Sequence, residues 1–290
     1  MVVGSANMDL VVRQPRLPHL GETMFGSSFT TVPGGKGLNQ AVAAARAGGS
    51  VAFVGAVGDD VFGGQLRDQL AADRIDVTTV RTAPEATGTA HISVVDGGEN
   101  SIVVVPGANG TTEDLDAADR AAIGGARFVV AQFERPPALI RAAFEAARAA
   151  GATTVLTPAP VLDPGDLLDL VDLLVPNAGE ACELAGIDDP TEAARGLSRR
   201  VGTVIMTRGG DGALIARDGG IVGEVAPRRV EPVDTTAAGD TFVGVLVARL
   251  AAGDALEAAA HAASVAASVA VTRPGASSSM PTWDEVAALL

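Results

Sequence analysis

Short apolar runs alternate with longer alanine-rich segments along most of the chain. The short runs are rich in valine, isoleucine and leucine, which is typical of buried strands. They lie at 51–57, 127–131, 153–156, 173–175 and 203–206. The longer segments repeat their apolar residues with the period of a helix. They lie at 38–47, 60–72, 136–149, 177–185 and 190–200. This alternation predicts an α/β fold in which helices cover both faces of a parallel sheet.

Two regions interrupt this alternation. Residues 10–33 contain turn formers and no helical pattern, and residues 87–105 contain two strand patterns around a polar turn at 96–100. Polar and apolar side chains alternate in the first of these strands, which predicts a half-buried hairpin. A small second sheet of this kind could be a lid, although an extension of the main sheet would give the same pattern. Because the two regions are separate insertions, we expect a single domain over 1–290.

Composition and charge exclude several classes of function. Acidic residues outnumber basic residues by 35 to 21, and a net charge of −14 repels nucleic acids and anionic lipids. Cys182 is the only cysteine, so the chain cannot form an internal disulfide. The N-terminus does not resemble a signal peptide, and the longest apolar stretch, 255–271, contains Glu257 and His261 and suits a packed helix. We therefore expect a cytoplasmic protein with no nucleic acid or membrane partner.

The strongest candidate for chemistry is the segment 233–242, where small residues precede an apolar helical run. Small residues let a ligand approach the backbone closely, and a helix start offers unpaired N–H groups at the positive end of its dipole. Asp240 falls in the predicted first turn, where an isolated aspartate would ordinarily be a helix-terminal charge. The preceding Ala237, Ala238 and Gly239 instead predict an anion hole for a phosphoryl group, with a base beside it.

A second candidate is the glycine turn at 33–40, which leads into a predicted helix. Lys36 is the only lysine among the 21 basic residues, which favours a specific role over a general surface charge. The turn is not a Walker A loop, because Gly37 occupies the position of the Ser or Thr. A loop that grips a substrate fits better, although glycine turns also simply connect strands to helices.

Three further segments follow predicted strands. Asn7 and Asp9 would face the same way in an extended chain and could bind neighbouring hydroxyls, although such a pair alone is more often a turn. Asn177 and Glu180 could cap a helix, lie near Mg²⁺ and phosphates, or do both. The turn 207–212 could be a plain connection or a wall for a nucleotide.

Taken together and in order, these motifs resemble those of the PfkB carbohydrate kinase family, and in particular its ribokinase branch. Two specific signatures carry most of the likeness: Gly-Gly-Lys-Gly-x-Asn-Gln at 34–40 and Asp-Thr-x-Ala-Ala-Gly-Asp-Thr-Phe at 234–242. The resemblance runs over residues 1–290. It implies a ribokinase-like three-layer α/β/α core with a mostly parallel sheet. It also implies a small β-sheet lid, here formed by the insertions at 10–33 and 87–105, that closes a homodimer.

The resemblance further implies the activity, which is ATP-dependent phosphorylation of a sugar with Mg²⁺ and K⁺. D-ribose, phosphorylated at O5 to ribose 5-phosphate, is the first candidate substrate. Three other substrates of the family stay open: 2-deoxyribose, fructose, and a nucleoside such as adenosine. A nucleoside would need a more apolar lid than Phe25 and Phe29 provide. A non-catalytic sugar-binding regulator is a further alternative, but it would lack the base or the anion hole.

By the same likeness, each role falls on particular residues of this chain. Asp240 would be the base, and the backbone around Ala237, Ala238 and Gly239 would be the anion hole. The positions that match the sugar site are Asn7, Asp9, Gly34, Gly35, Lys36, Asn39, Glu134 and Asp240. Those that match the ATP site are Asn177, Thr207, Arg208, Gly209, Gly210, Asp211, Gly212, Gly239 and Ser264. Glu180 would hold Mg²⁺ through water. The positions that match the K⁺ loop are Asp234, Thr236, Ala270, Arg273, Gly275 and Ser279.

Two positions depart from the family pattern. Thr157 begins a Thr-Pro-Ala-Pro segment where ribokinases usually have Asn-Pro-Ala-Pro, and Ser264 stands where Asn or His often lies near the adenine. The first departure concerns detail near the phosphates. The second concerns contacts with the nucleotide base and therefore the preference for ATP.

Overall fold

The structure is a computed structural model that describes residues 1–97, 99–111 and 114–290. The strands, in chain order, are β1 Val2–Val3, β2 Asn7–Gln14, β3 Ser28–Gly34, β4 Phe53–Gly58, β5 Val80–Ala83, β6 Gly88–Val95, β7 Asn100–Val105, β8 Phe128–Gln132, β9 Thr153–Thr157, β10 Leu173–Leu174, β11 Thr203–Thr207, β12 Ala213–Arg217 and β13 Gly220–Val225. The α-helices are α1 Lys36–Arg46, α2 Val61–Ala72, α3 Ala117–Gly124, α4 Pro137–Ala149, α5 Ala178–Ala185, α6 Pro190–Leu197, α7 Ala238–Ala252, α8 Leu256–Ala270 and α9 Trp283–Ala287. Among the described residues, no helix has both the length and the hydrophobicity to cross a bilayer.

The larger sheet has nine strands in the order β13-β12-β11-β10-β9-β8-β1-β4-β5. The seven strands from β11 to β5 run parallel, and β12 and β13 add an antiparallel edge. All six residues of β4 are buried, as expected for a strand covered on both faces. The parallel sheet predicted from the alternating pattern is confirmed for these seven strands, and the antiparallel edge agrees with the mostly parallel sheet that the resemblance implies.

Helices lie on both faces of this sheet, because apolar side chains point to alternate sides of each strand. Val2 and Val3 are consecutive on β1 yet belong to two different apolar clusters. One cluster contains residues of α1, α2, α7 and α8, and the other contains residues of α3, α4, α5 and α6. This is the expected three-layer α/β/α arrangement.

The predicted elements differ from the observed ones mainly at their ends. Helix α1 begins at Lys36, two residues before the predicted start, directly after Gly35 with its φ of 90°. Helix α6 ends at Leu197, three residues before the predicted end. The Ser198 hydroxyl donates to the Arg195 carbonyl there, and such a side-chain bond competes with continuation of the helix.

The smaller sheet has four strands in the order β3-β2-β6-β7. The outer pairs are antiparallel, the central pair β2 and β6 is parallel, and β6 and β7 form the hairpin expected around 96–100. Gly98, within that expected turn, lies outside the described residues. In β6, Gly88 and Ala90 are buried while His91 is exposed, but every described residue of β7 is exposed. The hairpin therefore presents an apolar strand to solvent in the single chain.

Helices α1 and α7 pack closely together, and their first turns lie at the carboxyl ends of the parallel strands. Gly244 on α7 allows this approach. A Cβ atom at Gly244 would lie 2.5 Å from the Gln40 carbonyl oxygen and 2.6 Å from Ala43 Cβ. Real Cβ atoms do not come so close to backbone, so a side chain here would push the two helices apart.

We therefore expect Gly244→Ala to lower the free energy of unfolding by about 1–3 kcal/mol, because it overpacks the contact between the two helices. Gly64→Ala is a matched control, since Gly64 lies inside α2 and a Cβ there would meet nothing within 4 Å. The control should be neutral or stabilising by up to about 1 kcal/mol, because alanine favours helix more than glycine does. Urea denaturation of both variants is the measurement, and equal effects would contradict the close approach of α1 and α7.

Candidate active site

A cavity of about 190 Å³ lies at the start of α7, at the carboxyl edge of the large sheet. Its lining joins Lys36 on α1, Thr157 at the end of β9, Thr207 at the end of β11, and the start of α5. The segment before and at the start of α7 completes it, with Thr235, Ala237, Ala238, Gly239 and Asp240. Parallel strands end at one edge of a sheet, and ligands of open α/β sheets bind there. The motifs found at separate strand ends in the sequence therefore meet in one place.

A larger cavity of about 580 Å³ opens at the opposite edge, where β1, β4 and β8 begin. Its lining is mostly alanine, glycine and valine, and its charged side chains are Asp76 and Arg127. Size alone would favour this cavity. The side chains suited to acid–base chemistry and to anion binding line the smaller one, so we place the candidate site there.

The backbone at the start of α7 is shaped to receive an anion. Ala237 has a left-handed conformation with φ 57°, which is unfavourable for a residue with a Cβ, and no side chain caps the helix. Among the described residues, the N–H groups of Ala237, Gly239 and Asp240 have no acceptor. Unpaired N–H groups at the positive end of a helix dipole are a ready anion site. The sequence analysis also placed the Ala238 N–H in the anion hole, but in the structure this N–H donates to the Thr235 carbonyl at 3.3 Å.

Asp240 is buried beside this helix start, with 8% of its surface exposed. Asn39 Nδ2 donates to its Oδ2 at 3.1 Å, and Gln40 Nε2 donates to its Oδ1 at 2.9 Å. Burial raises the pKa of Asp240 to about 6, and the positive charge of Lys36 and the two amide donors limit the rise. A carboxylate with a pKa just below neutrality is ionised at physiological pH yet basic enough to accept a proton.

Two further carboxylates lie near Asp240 on the side of the small sheet. Burial, together with the charges of Glu134 and Asp240, raises the pKa of Asp9 to about 7. The site has room for Asp9 only because residue 34 is glycine, since a Cβ there would lie 2.2 Å from Asp9 Oδ2. Glu134 Oε2 accepts bonds from the Ser5 hydroxyl and from the Lys36 N–H, the latter at 3.0 Å. These acceptors suit a ligand with several hydroxyl donors.

Lys36 lies between the carboxylates. Burial alone would lower its pKa, but the charges of Asp240, Glu134 and Glu180 raise the pKa of Lys36 above its ordinary value. The only lysine of the chain therefore stays protonated in a half-buried position. It supplies a local positive charge in a protein whose net charge is −14.

The amides of Asn7 and Asn39 are held in fixed orientations. Asn109 Nδ2 donates to Asn7 Oδ1 at 2.8 Å, so the amide nitrogen of Asn7 is the end left for another partner. Asn39 donates to Asp240, and its Oδ1 is buried without a partner among the described residues. One amide therefore offers a donor and the other an acceptor, a combination that suits sugar hydroxyls.

Asn177 and Glu180 do two things at once, as the sequence allowed. They form a reciprocal capping box at the start of α5, with both bonds at 2.8 Å, and both also line the cavity. Burial raises the pKa of Glu180 above its ordinary value, although the Asn177 N–H and the charge of Lys36 oppose that rise. The described residues contain no cluster of three or more acidic, histidine or cysteine side chains able to enclose a metal ion. The Asn177 amide oxygen and the Glu180 carboxylate are oxygen donors of the kind that suits Mg²⁺, which usually keeps several of its waters.

The predicted nucleotide residues are only partly brought together. Thr207 and Gly239 line the cavity, whereas the rest of the turn 207–212 and Ser264 do not. Arg208 pairs with Glu224 at 3.4 Å, and a Cβ at Gly209 or Gly210 would meet nothing within 4 Å. Ser264 is half-buried on α8. The two glycines leave the turn open to an approaching ligand outside the cavity itself.

The predicted cation loop is assembled around Asp234. Its carboxylate accepts bonds from the Thr236 and Gly275 N–H groups, both at 2.9 Å. Burial tends to raise the pKa of Asp234, but these bonds and the charge of Arg13 lower it below its ordinary value. The N–H groups of residues 233 and 234 also bond the carbonyl of residue 271, so the two segments lie side by side next to the anion site.

The other predicted cation residues are close in the chain but are engaged with other partners. Arg273 pairs with Glu285 at 2.6 Å, and the Ala270 carbonyl accepts the Arg273 N–H. The buried Ser279 hydroxyl donates to the Ala276 carbonyl. The Asp234 carboxylate is therefore the oxygen donor that these contacts place at the centre of the loop, and carboxylates are ligands of the kind that hard cations take.

Four polar residues that organise the site were given no role in the sequence analysis. Gln40 lies within the turn 33–40 noted there, Ser5 lies two residues before Asn7, and Gln132 lies two residues before Glu134. Nothing in their spacing shows which partner each contacts. Asn109 carries no sequence signal, because Gly-Ala-Asn-Gly resembles any turn.

Comparison with known proteins gives matches over nearly the whole chain. The profile of the family described as pfkB family carbohydrate kinase matches residues 1–283. The ribokinase of Bacillus subtilis is 40% identical, with 100% of this chain and 98% of that protein covered. The ribokinase of Haemophilus influenzae is 37% identical, with coverage of 98% and 95%. The structure of Arabidopsis thaliana ribokinase complexed with ribose and ATP has a TM-score of 0.91 at 32% identity, covering 99% of this chain and 97% of that one.

Burial of Asp240 costs stability only while its carboxyl group is ionised. Its pKa in the folded protein is about 6, above the roughly 3.9 of an unfolded chain. The cost therefore appears as pH rises from about 4 to about 6 and persists above that range. We expect Asp240→Asn to raise the free energy of unfolding by about 1–3 kcal/mol near pH 8 and to change it little near pH 4. Urea denaturation at both pH values measures this. An equal change in the free energy of unfolding at both pH values would mean that packing, and not ionisation of Asp240, causes it.

Proposed function

The chain belongs to the pfkB family of carbohydrate kinases, and on that premise we propose that it is an ATP-dependent ribokinase that phosphorylates O5 of D-ribose to give ribose 5-phosphate. One observation carries the chemistry: the buried carboxylate of Asp240 lies beside the uncapped start of α7. A base and an anion site are thus adjacent, as phosphoryl transfer to an alcohol requires. The choice of ribose rests on relatives that are ribokinases and match this chain along its length.

The sugar is held on the side of the carboxylates. Asp9 and Glu134 accept bonds from its hydroxyls, Asn7 donates through its free amide nitrogen, and Asn39 accepts through its unpartnered Oδ1. Asp240 takes the proton from the O5 hydroxyl as the new O–P bond forms. Asn39 and Gln40 keep the Asp240 carboxylate in place and ionised before that step.

The phosphoryl group is received at the start of α7. ATP supplies it: the bond between its terminal phosphorus and the bridging oxygen breaks, and ADP leaves. Bound Mg²⁺ would supply charge neutralisation on the phosphates. The free N–H groups of Ala237, Gly239 and Asp240 stabilise negative charge on the oxygens of the group in transfer. Lys36 adds a positive charge at the same place. Asn177 and Glu180 would hold Mg²⁺ through water, and the open glycines of the turn 207–212 would lie against the nucleotide. These local dipoles and charges offset the repulsion of ATP by the net negative chain.

The loop around Asp234 would bind K⁺. Support comes from its ionised carboxylate and its position directly before the anion site. A cation there would order residues 234–239 and adjust the field at the phosphoryl group. Thr236, Ala270, Gly275 and Ser279 remain the other candidate positions, whereas the guanidinium of Arg273 is cationic and only its backbone carbonyl could contribute.

The small sheet would act as a lid over the sugar and join two subunits as a homodimer. Residues 102–105 of β7 are 45–61% exposed, and Phe25 and Phe29 are 97% and 61% exposed. Exposed apolar side chains thus lie on both edge strands of the small sheet, and such exposure supports an interaction site there. Sedimentation equilibrium should then give twice the mass of the 29.0 kDa chain, and a monomeric mass would remove the dimer. Because ATP is the co-substrate, we place the enzyme in the cytoplasm.

Asp240→Asn tests the role of the base. We expect turnover of ribose to fall by about 10²–10⁴-fold while ribose binding, measured by calorimetry, is retained, because the amide fills the same space but cannot accept the proton. Asp189→Asn is the matched control, since Asp189 lies at the start of α6 and asparagine caps a helix equally well. Turnover by the control should equal that of the unmodified protein. Unchanged turnover by Asp240→Asn would refute the assignment.

A substrate panel tests the choice of sugar. ADP release would be measured with ribose, 2-deoxyribose, fructose and adenosine, each with and without K⁺. We expect ribose to give the highest kcat/KM, because the site has hydrogen-bond partners for several adjacent hydroxyls. A substrate that lacks one of these hydroxyls leaves a buried polar group unpaired, which lowers kcat/KM. K⁺ should increase the rate with ribose. Equal or better turnover of any of the other three would replace the assignment, and an identical rate without K⁺ would remove the cation site.

A further inference from the structure

A chain of buried amides leads away from Asp240 into the core. Gln132, at the end of β8, is fully buried, and its Nε2 donates to Gln40 Oε1 at 2.6 Å. Gln40, on α1, is 1% exposed, and its Nε2 donates to Asp240 Oδ1 at 2.9 Å. Three elements that are distant in sequence are therefore connected by side-chain hydrogen bonds that end at the proposed base.

The order of donors along this chain is directional. An amide has one donor end and one acceptor end, so a bond from Gln132 to Gln40 Oε1 requires that the NH₂ group of Gln40 face Asp240. The reversed orientation would bring an amide oxygen against an ionised carboxylate. Gln40 Nε2 also lies 3.4 Å from the Thr157 hydroxyl, which is a weaker contact and leaves the carboxylate as its main acceptor.

Gln132 has no other evident use in the structure. Its Oε1 is buried without a partner among the described residues, so its bond to Gln40 is its one side-chain hydrogen bond there. A Cβ at Gly4 would lie 2.6 Å from that oxygen, so the neighbouring backbone leaves just enough space for the amide. An apolar side chain of the same size would avoid the cost of burying an unpaired oxygen. The presence of a glutamine at position 132 therefore indicates that Gln132 acts through its hydrogen bond to Gln40.

We propose that Gln132 is a positioning residue for phosphoryl transfer, which fixes the orientation of the Gln40 amide so that Gln40 donates to the Asp240 carboxylate and keeps it ionised and in place. This inference rests on the proposed function, in which Asp240 is the base. Gln132 touches neither the sugar nor the nucleotide in that account. Its effect should appear in the ionisation of Asp240 and not in the binding of ribose.

Other charged groups also act on Asp240 and stay unchanged in the test. Lys36 on α1 lowers the pKa of Asp240 and Glu134 after β8 raises it. Asp9 on β2 is coupled to both carboxylates and has a pKa of about 7. The acid side of the pH profile therefore reports a coupled group of carboxyls. Differences between variants, and not the absolute midpoint, isolate the contribution of Gln132.

The experiment is a double-mutant cycle on the pH dependence of kcat. It compares the unmodified protein, Gln132→Met, Gln40→Met and the double variant. Loss of the Gln40 donor should move the midpoint of the acid limb upward by about 0.5–1 pH unit, because a hydrogen bond to the charged form holds a carboxyl pKa down. Gln132→Met should move it in the same direction by less. The double variant should match Gln40→Met alone, because Gln132 has no effect without Gln40.

Controls separate this role from a structural one. Gln69→Met removes another glutamine that donates to an aspartate, Asp73; neither residue lines the cavity, and the variant should leave the profile unchanged. Gln132→Asn, one methylene shorter, breaks the same contact with little change of polarity and should repeat the shift. Calorimetry should give the same ribose affinity for both Gln132 variants and for the unmodified protein.

Two results would overturn the inference. One is an equal loss of kcat at every pH with no movement of the midpoint, and the other is a shift in the double variant equal to the sum of the two single shifts. The ionisation of Asp240 can also be followed without turnover, by carbon-13 NMR of labelled aspartate. A protein with no kinase activity would refute the proposed function, whereas an Asp240 titration unmoved by Gln132→Met would refute this inference alone.

Discussion

An ionised carboxylate inside a protein is stable only if the lost hydration is replaced by charges and hydrogen bonds. Asp240 is in that position, and much of the surrounding structure supplies the replacement. The start of α7 contributes its dipole, Asn39 and Gln40 contribute amide donors, and Lys36 contributes a full positive charge. Lys36, Asn39 and Gln40 all lie on α1, about 200 positions before Asp240 in the sequence. The close packing of α1 against α7 brings them together, and Gly244 makes that packing possible.

Both sheets contribute residues to the site around Asp240. The parallel strands of the large sheet end at the cavity, so the last residues of β9 and β11, Thr157 and Thr207, line its wall together with Asn177, which precedes α5. Strand β2 of the small sheet follows closely after the carboxyl end of β1 in the large sheet, and β2 carries Asn7 and Asp9. Acceptors for hydroxyl groups therefore lie on one side of Asp240, and free backbone donors for an anion lie on the other. That division explains how a chain with net charge −14 can bring an anionic co-substrate to an alcohol.

The features of the fold and the site that depend on local sequence pattern could be predicted from the sequence. The alternation of strand and helix, the small sheet from two insertions, and the glycine-containing turns at strand ends were all visible there. Hydrogen-bond partners were not visible, because they depend on contacts between distant residues. Gln40 bonds Gln132 and Asp240 across 92 and 200 positions, and Asn109 bonds Asn7 across 102. The pairing of Arg208 with Glu224 and the half-buried setting of Ser264 likewise follow from tertiary packing. The Ala238 N–H was assigned to the anion hole because sequence does not reveal that Thr235 turns back to accept it.

In the proposed mechanism the Asp240 carboxylate faces both the sugar and the group being transferred. A crystal structure with ribose and a non-hydrolysable ATP analogue tests it most directly. The account predicts an Asp240 carboxylate oxygen about 2.6–3.2 Å from O5 of ribose, with the N–H groups of Gly239 and Asp240 directed at the terminal phosphate. An Asp240 side chain turned away from both ligands would contradict it.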